Sequence, residues 1–370
     1  ANPRRRRKCG RDPSLFLQTY FPHIFTNPFS ADQTDMIAAV RSVLEFGGYR
    51  AEAAARGGGK TSIALGMSFW AHLYALRKFI AIIAATGPDA DRNTDNIRVE
   101  YETNDPLAAD FPEVCIPIRA LEGAAQRAHL QTVAGRRTRM HWTGRYLALP
   151  TIEGSAASGA IITSRGIASA VRGLQYQGVR PDLVLIDDCE TRESARSPIE
   201  TTKRLETIQR DIAALGGPGI SIAIVYLCTV SHVDCIADQL TDPKRKPAWR
   251  GRRRPLLSRE PEPDTDAANL WTRYVDMRRE AMIAGDEEGR AAHHFYLENR
   301  PVMDEGSILS NPYRHDTTIL PDGTRKQVST LQFCHDIIAD LGREAFDTEY
   351  QQKAPDQDVE TVGLDSARIL

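Results

Sequence analysis

Residues 54–61 read Ala-Ala-Arg-Gly-Gly-Gly-Lys-Thr. Glycines followed by a lysine and a hydroxyl residue are the ingredients of a phosphate-cradling loop, whose pattern is G-x-x-x-x-G-K-[ST]. Gly59, Lys60 and Thr61 match it, and Ala54 stands where the first glycine would be. The physical logic survives that change. Gly57, Gly58 and Gly59 carry no side chains to block a wrap of backbone N–H groups around phosphate oxygens. A helix starting near Lys60 would aim its N-terminal dipole at the same anion. Lys60 then reaches the β- and γ-phosphates of ATP and Thr61 holds Mg²⁺, with Ser62 beside it in the nucleotide-contacting set. The bland alternative is a flexible loop ahead of a helix.

A second segment weighs against that alternative. Residues 183–188 read LVLIDD, four apolar residues and then two carboxylates. An apolar strand ending in acid is the partner a phosphate loop requires. Asp187 is placed to hold the Mg²⁺ shell, and Asp188 to orient the attacking water. Glu190 competes for the water-activating role, because its side chain is longer by one methylene.

These groups converge only if the right elements carry them. Apolar runs at Phe79–Ala85, Tyr146–Leu149, Ala160–Thr163, Leu183–Asp187 and Ile220–Cys228 read as strands. Several are apolar almost throughout, as in strands buried on both faces. They alternate with helical patterns from about 31 to 240, which predicts a mainly parallel sheet covered by helices. A helix is expected from Lys60 to about Arg77. Another should start at the N-cap Ser197, with Pro198 in its first turn and Glu200 completing a capping box. Its face is Leu205, Ile208, Ile212 and Leu215, and Gly216-Gly217 ends it. Residues 1–30 read as an irregular arm. Beyond 243 the texture changes to charged and proline-rich, with helices near Leu270–Ala284 and Leu331–Leu341.

The 370 residues are 41% hydrophobic, enough for a sizeable core. No stretch reaches the roughly 18 apolar residues of a membrane span, and no apolar segment follows the basic Arg4–Lys8. The six cysteines form no C-x-x-C pair and read as reduced core residues. Net charge of −2 names no partner. The run Lys244–Arg254 is either a solvated loop or a phosphate-backbone contact, with Trp249 as a candidate for base stacking. Trp271 and Tyr274 read as packing residues. His293-His294 diverge on a helix and form no metal pair. His232 reads as structural, and Ser155 and Ser158 fit no nucleophile elbow.

With these motifs in order, the sequence resembles the ATPase portion of the large terminase subunit of tailed bacteriophages. The resemblance rests on the loop with Arg56, on Ala85–Asn104 followed by Asp110-Phe111-Pro112, and on Arg165-Gly166. Arg180-Pro181-Asp182 running into LVLIDDCE adds to it, as do LCTVSHVD at Leu227–Asp234 and EAFDTEYQQKAP at Glu344–Pro355. It spans roughly residues 30–358. It implies that Arg56 senses the γ-phosphate, that Thr229 couples hydrolysis to movement, and that Gln33 lies near the adenine. It further implies sequence-independent binding of double-stranded DNA, a homo-oligomeric ring on a portal, a small terminase subunit as partner, no membrane, and the host cell cytoplasm as location. An arginine in trans is expected, with Arg165 and Arg172 as candidates. The missing first glycine, Asp188 in place of glutamate and Cys228 in place of glycine depart from the family pattern.

The fold expected is therefore α/β, a P-loop NTPase core with a mainly parallel sheet flanked by helices, plus a smaller lid or linker subdomain. Its parts are an arm (1–30), the core (31–242), the lid (243–358) and a linker (359–370) toward a C-terminal nuclease. Asp356, Asp358, Glu360 and Asp365 fall in or beside that linker. No acidic two-metal cluster is visible, so nuclease activity is not expected from this chain. Rival readings are a helicase-like ATPase and a nucleotide-binding regulator without turnover.

Overall fold

Apolar strands need cover on both faces, and the burial pattern shows that they have it. In the computed structural model, described over residues 1–169, 172–286 and 288–354, the strands are β1 (Gly48–Ala54), β2 (Phe79–Ala84), β3 (Thr132–Val133), β4 (Arg136–Arg137), β5 (His141–Trp142) and β6 (Tyr146–Ala148). They continue with β7 (Ile161–Gly166), β8 (Leu183–Asp187), β9 (Ala223–Cys228), β10 (Arg252–Arg254), β11 (Leu257–Arg259) and β12 (Ile308–Leu309). Eight of them form one sheet in the order β10-β1-β9-β8-β2-β7-β6-β5. The pairs from β10 to β7 are parallel, and β6 and β5 close the far edge antiparallel.

Strand periodicity splits the core in two. Ile80, Ile82, Leu183, Leu185, Val225 and Leu227 face one layer, while Ala81, Ile83, Val184, Ile186, Ile224 and Tyr226 face the other. The first layer is covered by α1 (Pro3–Arg11), α2 (Pro13–Tyr20), α3 (Ala31–Phe46), α4 (Lys60–Leu73), α5 (Gly87–Thr103), α6 (Asp105–Asp110) and α7 (Pro112–Arg119). The second is covered by α8 (Arg192–Arg196), α9 (Pro198–Glu206) with the π-helical turn after it, and α10 (Ile236–Thr241). A third core joins α11 (Asp266–Ile283), α12 (Arg290–Met303), α13 (Thr330–Leu341) and α14 (Arg343–Tyr350), and it reaches Ala55 at the root of the glycine loop. Trp271 and Tyr274 pack there, as expected. The α/β arrangement read from the sequence is the arrangement observed.

Four readings need correction. Residues 1–30 are not an irregular arm. Asn2 and Asp12 cap two helices that start on prolines, and Phe16, Leu17 and Tyr20 enter the main core. The sheet also runs past the boundary expected near 242, because Arg252–Arg254 forms its edge strand. That basic run is therefore neither solvated nor free for phosphate. Arg254 is 3% exposed and pairs with the fully buried Glu52 at 2.7 Å and with Asp35 at 2.7 Å. Breaking such a buried pair costs about 3–5 kcal/mol. Arg253 and Arg245 pair with Asp238, and Arg252 with Asp35. Trp249 is buried and stacks on Tyr49 at 5.2 Å, so it is not available to nucleic-acid bases. Lastly, Ser197 accepts from the Glu200 N–H, but α9 gives way to the π-helical turn at Thr207.

One buried cation fixes the lower end of the sheet. The Arg77 guanidinium donates to the carbonyls of Val43, Leu44, Asp182 and Ser221. It thereby ties the end of α3 to the entries of β8 and β9. All six cysteines are buried and free. No helix among the described residues is long and apolar enough to cross a membrane. The linker 359–370, and with it Asp356, Asp358, Glu360 and Asp365, lies outside the described residues.

Two buried histidines set an acid limit. Burial holds His72 down to about 3 and His335, stacked on Trp271, to about 4. The unfolded chain takes up these protons near pH 6.5, whereas the folded chain resists them. Stability is therefore full above about pH 7 and lost as pH falls, by about 2 kcal/mol per histidine at pH 5. Melting temperature should drop between pH 7 and 5, and His72→Leu should flatten that drop. An unchanged slope in His72→Leu would contradict the assignment.

Candidate active site

The site forms where strand ends meet. β9 lies between β1 and β8, with Ala53 opposite Cys228 and Leu227 opposite Asp187. The C-terminal ends of the three strands are thus level, and the loop after β1 opens onto the ends of the other two.

The loop itself follows from its glycines. Gly57 has φ +74° and Gly59 φ +86°, in the left-handed region that glycine adopts freely. The Gly58 N–H closes a turn onto the Ala55 carbonyl at 2.8 Å. Gly59 is the N-cap of α4 and offers no side-chain cap. The first N–H groups of this helix therefore have no protein oxygen assigned to them by capping, the usual condition of an anion site.

Lys60 and Thr61 reach the neighbouring strand ends. The Lys60 ammonium, 11% exposed along its side chain, donates to Thr229 Oγ1 at 2.7 Å and lies 3.2 Å from Asp188 Oδ2. The Thr61 hydroxyl donates to Asp187 Oδ1 at 2.9 Å, and Asn93 on α5 donates to Asp187 Oδ2 at 2.9 Å. Burial, followed by the neighbouring Asp188, raises the Asp187 pKa, against the pull of Asn93, Thr61 and Lys60. A cation beside it would reverse that shift. Asp188 sits at φ +38°, unusual for a residue with a side chain, and its N–H donates to the Leu227 carbonyl at 2.9 Å. Such backbone strain concentrates at functional sites. Its carboxylate stays half exposed, open to water.

The residues present fit a magnesium ion. Thr61 and Asp187 supply one hydroxyl and one carboxylate, and no cluster of three or more His, Cys, Asp or Glu side chains among the described residues could hold a metal. A Mg²⁺ there would draw its other ligands from phosphate and water, as that ion commonly does.

The remaining candidates divide. Gln33 lies at the loop: its Nε2 donates to the Gly58 carbonyl at 3.1 Å, while its Oε1 completes the cap of α3 on the Ser30 N–H. Ser62 lines a cavity of about 270 Å³ with Asn27, Gln33, Gly57 and Gly59. Glu190 does not join the carboxylate pair. Its oxygens accept from the Ala237 N–H at 3.2 Å and the Thr201 hydroxyl at 3.4 Å, and burial raises its pKa. It is a positioning carboxylate at the start of α10. Arg56 is 68% exposed and turned to α14, where Glu349 Oε2 lies at 3.3 Å and the Glu349 carbonyl accepts its N–H at 3.0 Å. Arg172 pairs with Asp211 and Arg165 donates to the adjacent Ser164 carbonyl. His232 accepts from Arg196, in keeping with a structural part.

Sequence reading missed three contributors. Asn93 carried a weak signal, a polar residue two turns into the helix after β2. Gln352, 1% exposed, accepts from the Val230 N–H beside Thr229. Arg314 lies against Gly57 from a stretch with no pattern of its own.

No family model and no curated protein matches the chain. Among solved structures it is similar to the large terminase ATPase domain of Thermus phage P74-26, at 15% identity over 88% of this chain and 98% of that one, with a TM-score of 0.34. It is also similar to the full large terminase of another thermophilic bacteriophage, at 16% identity, 56% and 40% coverage and a TM-score of 0.32. A third is the Phi-28 gp11 DNA packaging motor, at 13% identity, 52% and 49% coverage and a TM-score of 0.30. The second of these terminases is also known in complex with ADP and with ATP-γ-S. The match spans 40% of its length.

The geometry separates the two acids. Asp188→Asn should reduce ATP turnover by about 100-fold or more, the scale of a lost general-base contact. Glu190→Gln should leave turnover per folded molecule within about threefold and lower the melting temperature, since one buried hydrogen-bonding group is weakened. The opposite pattern in steady-state hydrolysis would reassign the base to Glu190.

Proposed function

We propose that this chain is the ATP-hydrolysing motor part of a viral DNA-packaging terminase, moving double-stranded DNA into a procapsid. The observation that carries the ATPase reading is the convergence of Lys60, Thr61, Asp187, Asp188 and Thr229 at three level strand ends. The packaging reading is supported by the order of the sequence motifs over residues 30–358.

In this reading the N–H groups of Gly57–Gly59 and the start of α4 cradle the β- and γ-phosphates. Lys60 gives up Asp188 for phosphate oxygens and neutralises charge as the bond to the leaving ADP breaks. Thr61 and Asp187, the latter held by Asn93, would hold Mg²⁺, which supplies charge neutralisation across the phosphates. Asp188 orients a water in line with the γ-phosphorus and takes its proton. Gln33 fixes the loop through the Gly58 carbonyl. Thr229, freed when Lys60 turns to phosphate, reports the nucleotide state along β9. A homo-oligomeric ring on a portal, with a small terminase subunit, in the host cell cytoplasm, is the setting in which such a motor works. DNA contact is electrostatic and independent of sequence.

Hydrolysis measured with and without double-stranded DNA at low salt tests this. Wild-type turnover should require Mg²⁺, rise with DNA, and lose that rise with added salt; Lys60→Ala should abolish it. A folded chain that binds no nucleotide would overturn the ATPase reading. Turnover indifferent to DNA at every salt concentration would remove the packaging reading alone.

A further inference from the structure

We infer that Arg314 is a phosphate ligand of the bound nucleotide, delivered in cis by the C-terminal helical part of the chain; the inference rests on the ATPase reading above. Arg314 lies between β12 and α13, far in sequence from the glycine loop, yet its side chain rests on that loop. A Cβ placed on Gly57 would stand 2.6 Å from Arg314 Nε and 3.0 Å from Nη2. Only a residue without a side chain lets the guanidinium lie there. The glycine at 57 thus serves two ends, the left-handed turn at φ +74° and the approach of this cation.

The guanidinium is held but not satisfied. Its Cζ lies 4.8 Å from the Phe333 ring centre, on the helix α13 that anchors the third core. Its Nε is buried and has no hydrogen-bond partner, and no carboxylate lies within ion-pair distance of Arg314 among the described residues. Neighbouring arginines differ: Arg56 has Glu349, Arg254 has Glu52, and Arg343 has Glu260. A buried donor left without an acceptor is costly. Here it borders the cavity of about 270 Å³ that Gln33, Gly57, Gly59 and Ser62 also line.

The missing acceptor is a phosphate oxygen. Beside the cavity lie the loop and the start of α4, both suited to anions, and a planar guanidinium presents paired donors that match phosphate geometry. Asp188 and Thr229, which face the terminal phosphate, do not line this cavity. Arg314 therefore serves the diphosphate that ADP and ATP share, not the γ-phosphate alone. Because the arginine belongs to the helical part, the nucleotide becomes a bridge between that part and the sheet.

The test is binding of Mg–ADP, and of inorganic pyrophosphate as its competitor, to wild type, Arg314→Gln, Arg314→Lys and Gly57→Ala, with thermal melts to confirm folding. Loss of one charge-assisted phosphate contact should weaken both ligands about tenfold or more in Arg314→Gln, with Arg314→Lys in between. Gly57→Ala, which displaces the guanidinium without removing it, should weaken both as well. Affinities within about twofold of wild type in Arg314→Gln would overturn the inference. So would weaker ADP with unchanged pyrophosphate, which would mean that the arginine touches the nucleoside. If wild type itself binds neither ligand, the ATPase reading fails first, and that is visible before any variant is compared.

Discussion

An ammonium group parked between a hydroxyl and a carboxylate is the constraint on which the rest of this structure depends. Lys60 is nearly buried, and a buried cation needs partners. Thr229 and Asp188 supply them, and they can do so only because β9 and β8 lie beside β1 with their ends level. The sheet order, the parallel pairing and the crossover helices all follow from bringing those ends together. Arg77 plays the matching part at the other end of the strands, where its donors bind the carbonyls that α3, β8 and β9 would otherwise leave open. The sheet is thereby held at one end by a fixed arginine and left adjustable at the other, where a lysine can exchange a carboxylate for a phosphate.

The last helix closes the assembly. The Arg56 N–H donates to the Glu349 carbonyl, the Leu256 N–H to the Tyr350 carbonyl, and the Val230 N–H to the Gln352 side chain. Gln351, itself buried, exchanges two hydrogen bonds with Leu257. Four consecutive residues therefore touch the glycine loop, the segment after β9 and the hairpin strand β11. A shift of the loop on phosphate binding has a direct backbone route into the helical part.

The site was legible in the sequence to the extent that its chemistry is carried by local patterns. Gly57–Thr61 and LVLIDD declare themselves, and β2, β8 and β9 announce burial by being apolar. β1 does not, because Gly-Tyr-Arg-Ala-Glu-Ala-Ala has weak strand propensity and becomes a strand through its neighbours. Likewise the basic run looked solvated because Glu52, Asp35 and Asp238, the acids that neutralise it, are not adjacent to it in sequence. Choosing between Asp188 and Glu190 needed geometry: two residues along a turning chain send one carboxylate to Lys60 and the other to α10. Arg314 had no pattern to betray it, since its meaning lies in a contact with a glycine near the other end of the chain. The N-terminal helices were readable in part, as Asn2-Pro3 and Asp12-Pro13 are capping signals, but the charged residues between them hid the buried face.

The central claim is that Lys60, Thr61, Asp187 and Thr229 form a phosphate and magnesium site whose lysine changes partner. A crystal structure of the chain with Mg²⁺ and ATP-γ-S tests it most directly. The account predicts the triphosphate in the loop, the metal on Thr61 and Asp187, and the Lys60 ammonium moved from Asp188 to phosphate oxygens. Nucleotide bound elsewhere, or Lys60 still paired with Asp188 while the loop is filled, would contradict it.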